Sequence, residues 1–395
     1  MNAKTLTAAV LLGLAVPAAV LAEEAPATRP DAAARDAEPR RSFWGSEPGR
    51  PYDDTSNYTL PVLPIELSGQ AWLDIGYLQQ KNTQVGSYDK NVNYAQGRFV
   101  LGAAYRRDFG GLFAEARAQF VAFDNERTKS QYESHTQDAF VRVGGKAWDV
   151  QVGRFYAWEP YWRGVGIDRY TAEEAGALGG PSIYRLDAAI GHKDEAGQLA
   201  AHWYPVEWAA FELGSVYGQE SEQNNLGVRP VLALRKYGFL LTGGYEYLQQ
   251  RPQDDSQKAE QTTKGFAGRL QYTAFGATVA VEASKASYDV TKSDGLVDTD
   301  LTLDKTSIGA FVQADLLRDY TLAGGYHLTT AKNEQKETNK HHQAFLAAIY
   351  RLPVPGLSVW GVLGFARAQL QDIDSNAAWE NDMTSFRVRL QYEFR

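Results

Sequence analysis

From Ile65 to the end of the chain, apolar and polar residues alternate with a period of two. In the first segment Ile65, Leu67, Gly69, Ala71, Leu73, Ile75 and Tyr77 share one face, with Glu66, Ser68, Gln70 and Asp74 on the other. Period two is the signature of a strand with one apolar and one polar side. The split recurs: Phe99, Leu101, Ala103 and Tyr105 oppose Arg98 and Arg106, and Leu112, Ala114, Ala116, Ala118 and Phe120 oppose Glu115, Arg117 and Gln119. Further on, Phe266, Gly268, Leu270 and Tyr272 oppose Arg269 and Gln271, while Ile308, Ala310, Val312 and Ala314 oppose Gln313 and Asp315.

A sandwich also alternates, so the connections decide. Short ones are predicted at Arg107 to Gly111, Gly144 to Lys146, Pro205 to Glu207, Lys236 to Gly238, Ala274 to Gly276, Leu317 to Asp319 and Pro353 to Gly356. Between them lie longer polar stretches at 79–91, 124–135, 251–261, 289–302, 332–340 and 371–383. Alternating short and long connections are what a transmembrane barrel requires. Aromatics cluster beside the short turns (Tyr105, Phe113, Trp148, Tyr204, Trp208, Tyr237, Phe239, Tyr272, Phe275, Tyr320, Tyr350), as at a membrane interface.

With both termini periplasmic, seven short turns make sixteen strands. An eighth turn at Asp194-Glu195-Ala196-Gly197 would make eighteen, but it needs a strand within 157–182 that the pattern does not display. Two segments are irregular: Pro230 lies inside the expected strand 226–236, where it removes a ladder donor, and around 356–370 both faces are apolar. The expected fold is all-β: a single transmembrane antiparallel up-and-down β-barrel of sixteen or eighteen strands, sixteen preferred.

Composition agrees once the period is known. The 395 residues include 36 Gly, 22 Tyr, 2 Met and no Cys, and 44% are hydrophobic. The mean hydropathy of −0.41 looks soluble, but it averages a lipid face, a polar lumen face and hydrated loops. No stretch provides the roughly 20 apolar residues of a membrane helix. The one continuous apolar run, Leu6 to Ala22 behind Lys4, reads as a signal peptide (1–22) cut after Ala22. Residues 23–64 hold seven of the 15 prolines with eight acids and five arginines, the composition of a disordered periplasmic linker, and 65–395 form the barrel. Removal of the signal leaves 39 bases against 48 acids, a net charge of −9, which argues against nucleic acid as a partner. The Phe43-Trp44 pair is a candidate contact with a partner or with the barrel mouth.

The last strand presents Phe386, Val388, Leu390, Tyr392 and Phe394 on one face, with Arg395 following. Asp138-Ala139-Phe140-Val141-Arg142-Val143 and Val150-Gln151-Val152-Gly153-Arg154-Phe155 form a strand pair ahead of the longest connection. In these segments the chain resembles the Gram-negative outer-membrane porins, whose third loop folds inward after such a pair and whose final strand carries an assembly signal. One departure is Arg395, since the family usually ends on the aromatic. The Gly-Arg ending is similar to alginate-export and other saccharide-specific barrels. The resemblance covers 65–395 and implies residence in the outer membrane of a Gram-negative bacterium.

The connection from Tyr156 to about Tyr184 or Gln198 is unlike the other loops. It holds Tyr156, Trp158, Tyr161, Trp162, Tyr170 and Tyr184 among Glu159, Arg163, Asp168, Arg169, Glu173, Glu174 and Arg185. A loop this aromatic is expected to fold into the barrel and narrow the lumen. Aromatic faces beside guanidinium and carboxylate groups suit pyranose rings; packing of the loop against the wall is the equal alternative. Opposite it, Arg98, Arg117, Arg142 and Arg269 with Glu115, Glu246 and Glu282 give a lumen of mixed charge. The candidate pore or substrate-binding residues are thus Arg98, Glu115, Arg117, Arg142, Arg154, Trp158, Glu159, Trp162, Arg163, Arg169, Arg185 and Arg269.

No catalytic residue, cofactor or metal is expected. The histidines His135, His192, His202, His327, His341 and His342 have no ligand spacing, and the His-x-Ser pattern of outer-membrane phospholipases is absent. The expected function is a channel for polar solutes, saccharides foremost. The alternative is a polysaccharide-export barrel working with a periplasmic partner through 23–64. Membrane lipid, the solute and a homotrimer complete the expected partners.

Overall fold

The computed structural model describes residues 58–59, 65–82, 89–125, 135–160, 183–186, 188, 196–220, 223–252, 259–293, 298–317, 319–333, 338–371 and 378–393. The signal peptide and all of the linker but Tyr58 and Thr59 lie outside them. A two-residue strand, β1 (Tyr58–Thr59), pairs with the start of the next strand. Sixteen long strands follow: β2 (Ile65–Asn82), β3 (Lys90–Phe109), β4 (Leu112–Asn125), β5 (His135–Gly144), β6 (Trp148–Arg154), β7 (Gly197–Val206), β8 (Ala209–Glu220) and β9 (Gln223–Lys236) make up the first half. The second half is β10 (Phe239–Pro252), β11 (Glu260–Ala274), β12 (Ala277–Ser293), β13 (Asp298–Leu317), β14 (Tyr320–Asn333), β15 (Thr338–Arg351), β16 (Leu357–Gln371) and β17 (Ala378–Glu393). Each pairs antiparallel with its successor, and β17 returns to β2, from Asn381 opposite Asn82 to Glu393 opposite Gln70. The barrel is closed, so it has no sheet edge to satisfy.

The strand number is sixteen because β6 pairs directly with β7, Trp148 opposite Trp203. No further strand stands between them, and Gly197, placed in a possible turn by the sequence, is instead the first residue of β7. All seven expected short turns are present. Two of them are Tyr237-Gly238 and Phe275-Gly276, in which both residues have positive φ (53° and 82°, 52° and 74°). This is the twist of a two-residue hairpin, and both aromatic side chains point into the open.

The long polar stretches are corrected more than the turns. Residues 289–293 and 298–302, read as loop, belong to β12 and β13, which pair out to Ser293–Asp298. Strands of 14 to 20 residues measure roughly 45 to 65 Å at about 3.3 Å per residue, against an apolar band about 25 Å tall. The ladder therefore continues past the lipid, where water meets both faces and polar side chains hide its presence.

Pro230 is accommodated as its missing donor demands. It pairs with Leu213 on one side, while the β9–β10 ladder breaks after Val231–Gly244 and resumes at Val228–Tyr247. The doubly apolar segment 356–370 has an inner face, Trp360 and Val362, packed with Phe311, Phe345 and Ile349 into an apolar patch that Ile183 touches.

Outward side chains form the apolar belt that the period implies, with Ile75, Phe266 and Ile308 each more than half exposed. So continuous an apolar surface belongs in lipid. Its rim beside the short turns is aromatic: the rings of Phe239 and Tyr272 lie 4.5 Å apart and those of Tyr320 and Tyr350 4.7 Å apart.

Candidate functional site: the inner wall and the inward connection

The connection between β6 and β7 is anchored to the inner wall at both ends. After Arg154 the chain turns inward at Phe155, whose ring packs edge-on against Phe140 at 5.8 Å. Gln198 donates to the Phe155 carbonyl (2.8 Å), the Trp158 amide donates to Glu212 (3.1 Å), and Thr242 donates to the Pro160 carbonyl (3.1 Å). On the return, the Tyr184 amide donates to Ser307 (3.2 Å) and its carbonyl accepts from Ser284 (3.0 Å). Glu246 receives the Tyr184 hydroxyl (2.5 Å) and the Ala188 amide (2.7 Å), and Arg229 donates to the Ala188 carbonyl (2.6 Å). Backbone that leaves the sheet inside a barrel needs such partners, since its polar groups are costly unpaired.

Small residues make the room. Trp158, Tyr184 and Leu186 pack on Ala200, Ala210, Ala233, Ala267 and Ala286. A side chain at Gly265 would run into the Tyr184 hydroxyl, and one at Gly244 would come within 2.7 Å of Leu186.

Two buried ion networks staple the strands beneath. His202 lies between Asp149 (Nδ1, 2.5 Å) and Glu212 (Nε2, 2.8 Å), each its direct cross-strand neighbour. Glu212 also pairs with Arg229, which lies over Gly214. The Trp158 ring stacks on His202 at 4.8 Å. Glu212 and Arg229 thus hold one end of the inward connection each. In the second network Arg269 pairs with Glu282, and His327 reaches the same carboxylate (2.7 Å) across Gly309. Buried charges persist only when paired and hydrogen-bonded, and these are.

The wall formed by β16, β17, β2 and β3 is built differently. Asp74 accepts from Arg389 through Nε (2.6 Å) and Nη2 (2.8 Å) and from Gln96 (3.1 Å), with Arg387 at 3.7 Å. The Arg389 guanidinium lies over Trp72 (4.2 Å) and near Trp360 (5.7 Å). Elsewhere on the inner wall, on β4 and β5, Glu115 pairs with Arg142 (2.7 Å) and more loosely with Arg117 (3.9 Å).

Of the residues singled out in the sequence, Glu115, Arg117 and Arg142 stand together on inner positions of β4 and β5, whereas Arg98 lies well along β3 from them, opposite Trp72. Arg269, with Glu282 and Glu246, stands on the wall that carries the connection instead of facing it. Arg154 ends β6, Trp158 and Glu159 are buried at the start of the connection, and Arg185 is half-buried at its return. Trp162, Arg163 and Arg169 lie outside the described residues. The sequence reading passed over Trp72, Trp360, Arg387, Arg389, His202, Glu212 and Arg229. Trp72 was discoverable, because parity places it on the polar face of its strand; Trp360 was not, because both faces of its strand are apolar.

No family model matches the chain, and no curated protein matches it. Solved structures do. A loop-deletion form of OmpT, an outer-membrane protein of Vibrio cholerae, aligns with a TM-score of 0.58 at 14% identity, covering 83% of this chain and 98% of its own. An anion-selective porin from Comamonas acidovorans gives 0.57 at 13% identity, over 84% of this chain and 100% of that one. The outer-membrane channel DcaP of Acinetobacter baumannii gives 0.56 at 12%, over 86% and 100%. At such identities the likeness is one of fold.

Proposed function

We propose that the chain is a channel of the Gram-negative outer membrane that passes polar solutes, saccharides foremost, through a water-filled lumen narrowed by the connection between β6 and β7. The observation that carries this reading is the attachment of both ends of that connection to the inner wall, at Glu212 and Thr242 on one side and Glu246 and Ser307 on the other. An inward segment restricts the bore without closing the barrel, and pore selectivity then follows from the groups around the restriction. Porin and channel neighbours support the reading by analogy of fold. Guanidinium, carboxylate, amide and indole groups on the inner wall suit hydroxylated solutes. The protein works without catalysis. The export alternative has no observation of its own.

Planar-bilayer conductance and liposome swelling with sugars of graded size test this. Stepwise currents and a size cut-off near that of mono- to oligosaccharides are expected. Sealed bilayers and unswollen liposomes, with correctly folded protein, would overturn the channel reading.

A further inference from the structure

We propose that the outward face of β12 to β15, at the external edge of the apolar belt, is a binding surface for a lipid whose sugar headgroup carries a phosphate at each end, a diphosphorylated glycolipid of the outer leaflet. The inference is independent of whether the lumen conducts.

Register aligns four side chains across four consecutive strands. Lys285 stands opposite Thr306, Thr306 opposite Thr330, and Thr330 opposite Lys340. All four face outward, since their chain neighbours Ala286, Ser307, Thr329 and His341 are buried on the inner side. The next outward row toward the membrane is apolar for three strands, with Ala283 opposite Ile308 and Ile308 opposite Leu328, and it ends at His342. The short turns of these strands, at Phe275-Gly276 and 318–319, lie at their other ends, so the Lys-Thr-Thr-Lys row marks the side of the long external loops. Its two lysines are three strands apart, roughly 14 Å at about 4.8 Å per strand.

Other cations on this outward rim are matched. Arg251 holds Glu260 (3.3 Å), Lys264 holds Asp289 (3.3 Å) and Arg367 holds Asp382 (2.7 Å). Among the described residues Lys285 and Lys340 form no ion pair, and neither does Lys332, one row further out. The acids beside them are few. Lys332 stands opposite Asp304, and the β14–β15 connection contributes Glu334, Lys336 and Glu337, which sets four lysines against three acids. Asp298 and Asp300 pair at least six residues further along β12 than Lys285, roughly 20 Å or more away and beyond a screening length of about 8 Å.

A lone lysine at a lipid boundary needs only water for its ammonium group. A cation at each end of a row with two hydroxyls between them offers more. Each lysine answers a phosphate, and the threonine hydroxyls, which donate and accept, answer the polar groups of the sugars that join the phosphates. Val281, Ile308 and Leu346, each more than half exposed, lie below the row, where the acyl chains run.

Native mass spectrometry of the full chain, folded in neutral detergent with EDTA to remove bridging cations, tests the surface with diphosphoryl lipid A as the probe. The parent is expected to bind it about tenfold more tightly than monophosphoryl lipid A or phosphatidylglycerol. Lys285→Gln and Lys340→Gln should each weaken binding about fivefold, equivalent to roughly 1 kcal/mol, whereas Lys236→Gln, at the short-turn rim, should not. Asp304→Asn removes the facing acid and should tighten binding by a similar factor, a gain that misfolding cannot imitate. Equal binding of all three lipids would reduce the face to general anion attraction and overturn the site. So would lysine variants that bind as the parent does, an equal loss in Lys236→Gln, or no gain in Asp304→Asn.

Discussion

The wall of β8 to β13 and the wall of β16 to β3 confront each other across the barrel, β10 and β2 being eight strands apart in a ring of sixteen. On the first, charges are consumed by the protein itself: Glu212, Arg229 and Glu246 bind one another's neighbours and the backbone of the inward connection. Many of its uncharged inner positions are Ala or Gly, with Thr242, Ser284 and Ser307 bonding the backbone of the connection. On the second, large side chains occupy several of the inner positions, and the Arg389 guanidinium lies over Trp72 while it pairs with Asp74. The difference teaches how to tell the two inside a barrel. Small inner residues mark where a segment of chain lies against the wall, and large polar ones mark where side chains bond one another across the strands.

The strongest way to break this comparison is Glu212→Ala. Removing one member of a buried ion network leaves Arg229 and His202 with uncompensated contacts, a loss of about 3–5 kcal/mol. The expected outcome is a lowered unfolding temperature and a noisy single-channel current, and Arg229→Met added to the same chain should recover part of the lost temperature. Unaltered stability and a quiet current would mean the connection does not depend on this hub.

Next in size is Gly265→Val. The new side chain meets the Tyr184 hydroxyl where Glu246 holds it, and overpacking of this kind costs about 1–3 kcal/mol. Faster proteolysis of the β6–β7 connection in folded barrels checks the expected release. Asp74→Asn acts on the opposite wall. It leaves Arg387 and Arg389 without their carboxylate, so the reversal potential in a KCl gradient should shift toward anions, by about twofold to fivefold in permeability ratio, equivalent to roughly 0.4–1 kcal/mol. The current should stay as quiet as the parent's, and a noisy one would blur the distinction between the walls. The smallest effect is expected for Gly243→Val, where no described atom lies within 4 Å of the added carbon: about 0.5 kcal/mol or less by thermal unfolding. Read beside Gly265→Val, it separates the inner from the outer face of adjacent strands.

Much of the fold was legible because period two reports burial directly. Every outward residue named from the sequence on β3, β4 and β13 is outward in the barrel. The turns were legible from Gly and from local polarity. Strand ends were not, because at Ser293 and Asp298 a polar ladder in water has the composition of a loop. The site was legible only as a population of charged inner residues. Which of them pair depends on register, and on glycines that let one side chain reach over a strand, as His327 does at Gly309 to meet Glu282. Neither is written in local composition.

The Asp74–Arg389 pair joins residues 315 positions apart. Hairpins from β3 onward can form between consecutive strands, and contacts between sequence neighbours are the cheap ones in chain entropy. The β2–β17 seam can form only after the rest has curved round to bring the two strands together. The facing wall is therefore the last part of the molecule to exist. An unfinished barrel can already possess the hub that grips the connection, but it cannot possess the arginine held between Asp74 and Trp72, so fluorescence of Trp72 would serve as a clock for closure.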